Sequence, residues 1–210
     1  MTTIMLIRHG DTDWNVEEIF RGRVDVELNA AGVRQAQLLA RFLEGVPMEA
    51  VYSSPLKRAF RTAEIVAAPH GLDVIAKQEL VDFHFGAWQG MSHDAVRDEF
   101  KALYYEWLKN PHRVRILGGE TLDEVKRRAG RLINEVIATN AGTVALVSHR
   151  VIHKVMICSL LGLDNSHFWD IELDTCGVTT FVYVDGRFIL KKHNDTSFLR
   201  SMNRGAQTDF

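Results

Sequence analysis

Two cysteines in 210 residues, Cys158 and Cys176, are too few for a disulfide framework, and both sit in apolar stretches. That suits buried free thiols in a reducing cytoplasm. Prolines number four, and no Gly/Ser-rich linker or repeat divides the chain, so residues 1–210 read as one domain. No run of about 18 apolar residues exists to span a bilayer. The opening MTTIMLIRHGD has no basic residue ahead of its short apolar stretch and does not read as a signal peptide. An excess of one charge is lacking too: 25 Lys+Arg against 27 Asp+Glu give a formal net charge of -2. This balance removes the generic electrostatic argument for nucleic acid or an anionic membrane as partner.

What is present is an alternation of apolar strands and amphipathic helices. Thr3–Ile7 is short, apolar and β-branched, and it ends on Arg8-His9-Gly10. Thr143–Val147 repeats the pattern and ends on Ser148-His149-Arg150. Further strands are expected at Ala50–Ser53 and Leu72–Ala76. Helices are expected over 31–43, from Pro55 to 67, irregularly over 92–108, and over 151–161. Thr121 and Glu124 form a capping box ahead of the apolar stripe Leu122, Val125, Ala129, Leu132, Ile133, Val136, Ile137. Val178–Val184 and Arg187–Lys192 flank Asp185-Gly186, a hairpin signal. The tail after Leu199 is polar and is expected to fray. The pattern predicts a three-layer α/β/α fold with a mainly parallel central sheet and a C-terminal hairpin, whose free edge is a place for two chains to pair. In such sheets ligands bind at the carboxyl ends of strands, where both Arg8-His9 and Ser148-His149 fall.

The first of those turns has a definite chemistry. Arg8 supplies a planar fork of donors, His9 a nitrogen able to act as nucleophile, base or ligand, and Thr12 and Asn15 neutral donors. A cationic, donor-rich turn of this kind favours a tetrahedral anion.

The set as a whole is more specific than the turn. Leu6-Ile-Arg-His-Gly-x-Thr-x-x-Asn15 resembles the signature of the histidine phosphatase, or phosphoglycerate mutase-like, superfamily. Phe20-Arg-Gly-Arg-Val-Asp25, Tyr52-Ser-Ser-Pro-Leu-Lys-Arg58, Phe85-Gly-Ala-Trp-Gln-Gly90, Gly118-Gly-Glu-Thr121 and Val147-Ser-His149 follow in that family's order. The resemblance implies a phosphatase in which His9 attacks phosphorus, with Arg8, Arg58 and His149 around the phosphoryl oxygens and Asn15 adding a donor. It also implies a carboxylic acid for the leaving group. Where the family usually has glutamate, this chain has Asp82, shorter by one methylene. His84 stands two residues on as a second candidate, and residues 90–118 are expected to form a small substrate cap.

Arg21, beside Gly22, replaces a residue that is commonly smaller and neutral in the family, and Arg150 replaces a common glycine; either could reach a second anionic group on the substrate. Trp14, Phe20, Phe83, Phe85 and Trp88 read as core or pocket wall. No cofactor and no metal are expected. His9, Asp11, Asp82, His84, His93, His149 and His153 lack compact ligand spacing, and Arg8 and Arg58 would repel a cation. Two rival functions remain, a cofactor-dependent phosphoglycerate mutase and an inactive phospho-ligand-binding regulator. The short interval between Asp82 and Gly118 favours an open site and water as acceptor, and retention of the full set favours an enzyme. The expected partner is a small phosphorylated metabolite. Residues 160–169 with Asp174 are similar to metal-independent phosphoserine phosphatases, which makes phosphoserine a candidate.

Overall fold

The computed structural model describes residues 1–200 and 202; the tail expected to fray lies largely outside the described residues. The strands are β1 (Thr2–Arg8), β2 (Met48–Ser53), β3 (Val74–Ala76), β4 (Thr143–Ser148), β5 (Val178–Val184) and β6 (Arg187–Asp195). They form one sheet in the order β3-β2-β4-β1-β5-β6. The β3/β2, β2/β4 and β4/β1 pairings are parallel, and β5 runs antiparallel to both β1 and β6. The expected hairpin therefore closes one edge of a parallel sheet.

Register fixes where the chemistry goes. Ile7 pairs with Val147, and Val147 with Ser53, so three strands end level with one another. The residues that follow, Arg8-His9, Ser148-His149 and Ser54, are delivered to one rim.

The helices are α1 (Asp13–Val16), α2 (Ala30–Leu43), α3 (Lys57–Ala67), α4 (His93–Glu99), α5 (Lys101–Lys109), α6 (Leu122–Thr139) and α7 (Arg150–Leu160). Alternation along the strands splits the core into two layers. Ile7, Val51, Ala145 and Val147 pack with the apolar faces of α2 and α3. Ile4, Leu6, Val144 and Leu146 pack with α6, α7 and an aromatic group around Trp88, Phe83 and Trp107. Both faces are covered, as a parallel sheet requires. Among the described residues no helix is long and apolar enough to cross a membrane.

Two helices depart from expectation. Pro55 does not open α3, which starts two residues later. Leu56 stays extended as the N-cap, and the Lys57 amide donates to the Asp25 carboxylate at 2.7 Å. The irregular 92–108 segment is two helices broken at Phe100 (φ -118, ψ 39), whose ring packs toward Trp88 at 6.3 Å. Elsewhere the capping box Thr121/Glu124 is present, and both cysteines are free and buried. Burial pushes the Cys158 thiol up to about 11, which keeps it protonated and unreactive.

His153 of α7 ties that helix to the sheet: its Nε2–H donates to the Ile7 carbonyl at 3.0 Å. The ring is buried (1% exposed), and burial lowers its pKa to about 4. The unfolded chain therefore binds a proton at this site between pH 6.5 and 4 that the folded chain refuses, and stability falls as pH falls through that window. The expected loss from His153 is about 1.4 kcal/mol per pH unit. His153→Gln keeps a donor but cannot titrate. Denaturant unfolding at pH 7 and pH 5 should show wild type losing about 2 kcal/mol more than the variant; equal losses would refute the assignment.

Candidate active site

The rim is built first from backbone. The His9 amide donates to Ser148 O (3.0 Å), the Ser54 amide to Val147 O (3.0 Å) and the Cys176 amide to Arg8 O (3.0 Å). Gly10 is required where the chain leaves β1. A Cβ there would lie 2.6 Å from Gly32 O, so only a glycine lets the first turn of α2 pack against this loop.

His9 is buried at 1% exposure. Its Nδ1–H donates to the Gly10 carbonyl at 2.7 Å, which leaves the lone pair on Nε2. Burial, then Arg58, Arg21 and Arg8, hold its pKa well below 6.5. The ring is thus a neutral base with its free nitrogen among cations. His149 lies beside it, ring centroids 5.1 Å apart at 60°. Burial and then Arg58 keep this imidazole neutral as well.

The tautomer of His149 is assigned from its two neighbours, the Asp82 carboxylate 3.5 Å from Nδ1, which favours a proton there, and Ser54 Oγ beside Nε2. The Leu56 amide donates to Ser54 Oγ (3.3 Å), so the hydroxyl proton is free to go to His149 Nε2, 2.8 Å away. The remaining N–H of His149 is then at Nδ1, which is buried without a hydrogen-bond partner and lies 3.5 Å from Asp82 Oδ2. An N–H donor in that state is available to a ligand oxygen.

Arg58 is fully buried. It donates from Nη2 to Asp82 Oδ2 (2.9 Å) and Gly22 O (2.8 Å) and from Nη1 to Val24 O (2.9 Å), while its Nε has no partner. Arg8 donates from Nη1 to the Leu173 carbonyl. Asp82, 7% exposed, accepts Arg58 on one oxygen and the Phe83 amide (2.8 Å) on the other. The structure therefore brings His9, Arg8, Arg58, Asp82 and His149 into one buried group.

The neutral donors are arranged around it. Thr12 N and Oγ1 both donate to Asn15 Oδ1 (3.0 and 2.9 Å), leaving the Asn15 amide nitrogen as its donor end. Arg21 Nη1 donates to Thr12 Oγ1 at 3.3 Å, and burial with Arg58 and Arg8 depresses its pKa. Gly22, at φ +51, turns its carbonyl to Arg58. His84 has a bracing bond instead of an open face at one nitrogen: Nδ1 accepts the Gly86 amide at 3.0 Å. Phe20, Phe83, Phe85 and Trp88 are buried in a group of tilted and edge-on rings, as wall and core residues.

Sequence reasoning missed Ser54, Glu120, Arg23 and Arg128. Ser54, Glu120 and Arg23 sit inside the family-like segments but carried no role there. Arg128 left one trace, an arginine on the apolar stripe three residues after Val125 and four before Leu132.

Comparison with known proteins identifies the family and the fold. The model of the histidine phosphatase superfamily (branch 1) matches residues 4–196. Phosphoserine phosphatase 1 of Hydrogenobacter thermophilus is 34% identical over 200 residues, 95% of each chain. The structure of YhfR from Bacillus stearothermophilus superposes with a TM-score of 0.91 at 29% identity, over 95% of this chain and 100% of that one. A phosphoserine phosphatase from Entamoeba histolytica, solved with 3-phosphoglyceric acid, gives 0.85 at 28% identity, with 95% and 100% covered.

Gly22 offers a direct test of the geometry. An added Cβ would lie 2.4 Å from Gln89 Oε1 and 2.9 Å from Phe83 O, at a φ that L-residues avoid. Gly22→Ala should destabilise the fold by about 1–3 kcal/mol and lower activity at least tenfold by displacing the Arg58 acceptor. Unfolding curves paired with steady-state kinetics check this; a variant matching wild type in both would contradict the role given to the turn.

Proposed function

The chain belongs to the histidine phosphatase superfamily, branch 1, and is a phosphatase; from that premise we propose that it hydrolyses a small phosphomonoester through a covalent phosphohistidine at His9. The observation that carries this reading is the His9 imidazole itself: buried, neutral, pinned through Nδ1 to Gly10, and presenting Nε2 amid Arg8, Arg21 and Arg58. A lone nitrogen surrounded by guanidiniums suits attack on a dianionic phosphoryl group.

In the first step the Nε2 lone pair forms an N–P bond and the bond from phosphorus to the ester oxygen breaks. Arg8, Arg58, the Nδ1–H of His149 and the Asn15 amide hold the equatorial oxygens, where charge accumulates. Removing one such donor typically costs a hundredfold to thousandfold, roughly 2.7–4 kcal/mol. Asp82 gives its proton to the departing oxygen. In the second step water attacks phosphorus, Asp82 takes a proton from it, and the N–P bond breaks to release phosphate and regenerate neutral His9. Charge stabilisation comes from guanidiniums throughout, so the scheme uses no metal.

Thr12, Arg21, Gly22 and His84 frame the leaving-group side, and the cap at 90–118 selects the substrate. Similarity to phosphoserine phosphatases supports a small phosphorylated metabolite, with phosphoserine as the candidate to try first. Assays with p-nitrophenyl phosphate should show wild-type turnover that persists in EDTA and a loss of at least a thousandfold in His9→Ala. Reversible loss on chelation, or an active His9→Ala, would count against the scheme.

A further inference from the structure

We propose that Arg128, on α6, is a positioning residue for the reaction: together with Glu120 and Arg23 it clamps the backbone of the loop that presents Asp82. This rests on the reading of Asp82 as the proton donor.

The position of Arg128 is unusual. It is 8% exposed and lies within the apolar stripe of α6, between the buried Val125 and Leu132. A guanidinium there loses its hydration and is stable only with its donors engaged. Nε donates to Glu120 Oε1 (3.0 Å), Nη2 to Glu120 Oε2 (3.0 Å), Nη1 to Glu79 O (2.6 Å) and Nη2 also to Asp82 O (3.3 Å). Two of its bonds form a parallel fork on Glu120, and the others reach the loop at Glu79 and at Asp82 itself.

Glu120 and Arg23 complete the grip. Glu120 Oε2 accepts the His84 amide (3.1 Å) and pairs with Arg23 Nη2 (3.0 Å), and the Glu120 amide donates to His84 O (2.9 Å). Arg23 Nε donates to Asp82 O at 3.2 Å. The peptide carbonyl of Asp82 thus receives N–H groups from two guanidiniums, with Glu79 before it and His84 after it also held. From the sheet side, Ser148 Oγ donates to Leu80 O at 2.7 Å. The carboxylate of Asp82 bonds separately to Arg58 and its own loop amide.

Why a clamp here? An aspartate has one methylene between backbone and carboxyl, so the position of its oxygens follows the position of its Cα with little slack. A displaced loop could not be corrected by a side-chain rotation. When the clamp loosens, Arg58 loses at most its bond to Asp82 and keeps Gly22 O and Val24 O, while Arg8 keeps Leu173 O and His149 keeps Ser54, so proton donation should suffer more than phosphoryl binding.

The test compares Arg128→Lys and Glu120→Gln with wild type and Asp82→Asn, on an alkyl phosphomonoester and on p-nitrophenyl phosphate, whose leaving group needs little protonation. Arg128→Lys keeps the charge but cannot reach Glu79, Asp82 and Glu120 together. Followed by rapid quench, it should lower the rate of the first step, phosphoryl transfer to His9, about tenfold to a hundredfold with the alkyl ester, change that rate less than about threefold with the aryl ester, and leave competitive inhibition by inorganic phosphate near wild type. Parallel losses on both esters, or no loss, would overturn the clamp. If Arg128→Lys does not fold, Glu120→Gln carries the same comparison: a loss confined to the alkyl ester supports the clamp, and parallel losses or none overturn it. Asp82→Asn separates the levels. If it discriminates between esters and the clamp variants do not, the clamp alone fails. If Asp82→Asn itself does not discriminate, the proton-donor reading fails and the clamp falls with it.

Discussion

The alignment of three parallel strands at their carboxyl ends is the constraint on which the site depends. Ile7, Val147 and Ser53 lie in one row of the sheet, and the residues beyond them share a rim. His9 and His149 are far apart in sequence yet adjacent in space because of this row. A slip of one residue in either pairing would send a side chain to the opposite face. The two-layer core on either side of the sheet makes such a slip costly, since β1, β2 and β4 bury residues on both faces.

Burial then sets the chemistry. Removing imidazoles from water and placing them among guanidiniums keeps His9 and His149 neutral, which a nucleophile and a neutral donor both need. The same crowding of cations is tolerated in the free protein because carbonyls take up the donors. Gly22, Val24 and Leu173 accept from Arg58 and Arg8, and Asp82 supplies the countercharge to Arg58. Under the proposed function these are positions from which a phosphoryl group would gain contacts without moving the backbone, a preorganised electrostatic site.

Much of this was legible in the sequence. Apolar strands ending on Arg8-His9 and Ser148-His149 identified the rim, and the spacing of Leu122 through Val136 identified α6. The hairpin and the mainly parallel sheet followed from turn chemistry and alternation. What the sequence did not disclose were bonds to backbone atoms and partners distant in the chain. Nothing in a linear reading pairs Ser54 with His149, or sends Arg128 to the carbonyls of Glu79 and Asp82, because those acceptors have no side-chain signature. Helix boundaries failed for a local reason: Pro55 permits a helix start, but the Asp25 cap on Lys57 and the extended Leu56 decide it. His84, a second candidate beside Asp82, has its Nδ1 bonded to the Gly86 amide, a backbone donor that no linear reading shows.

The covalent step is the central claim, and rapid quenching tests it most directly. Turnover of a phosphomonoester labelled on phosphorus, stopped in base within the first turnover and mapped by peptide, should place an acid-labile label on the segment containing His9. Steady turnover with no label on that segment, or with the label on another residue, would contradict the account.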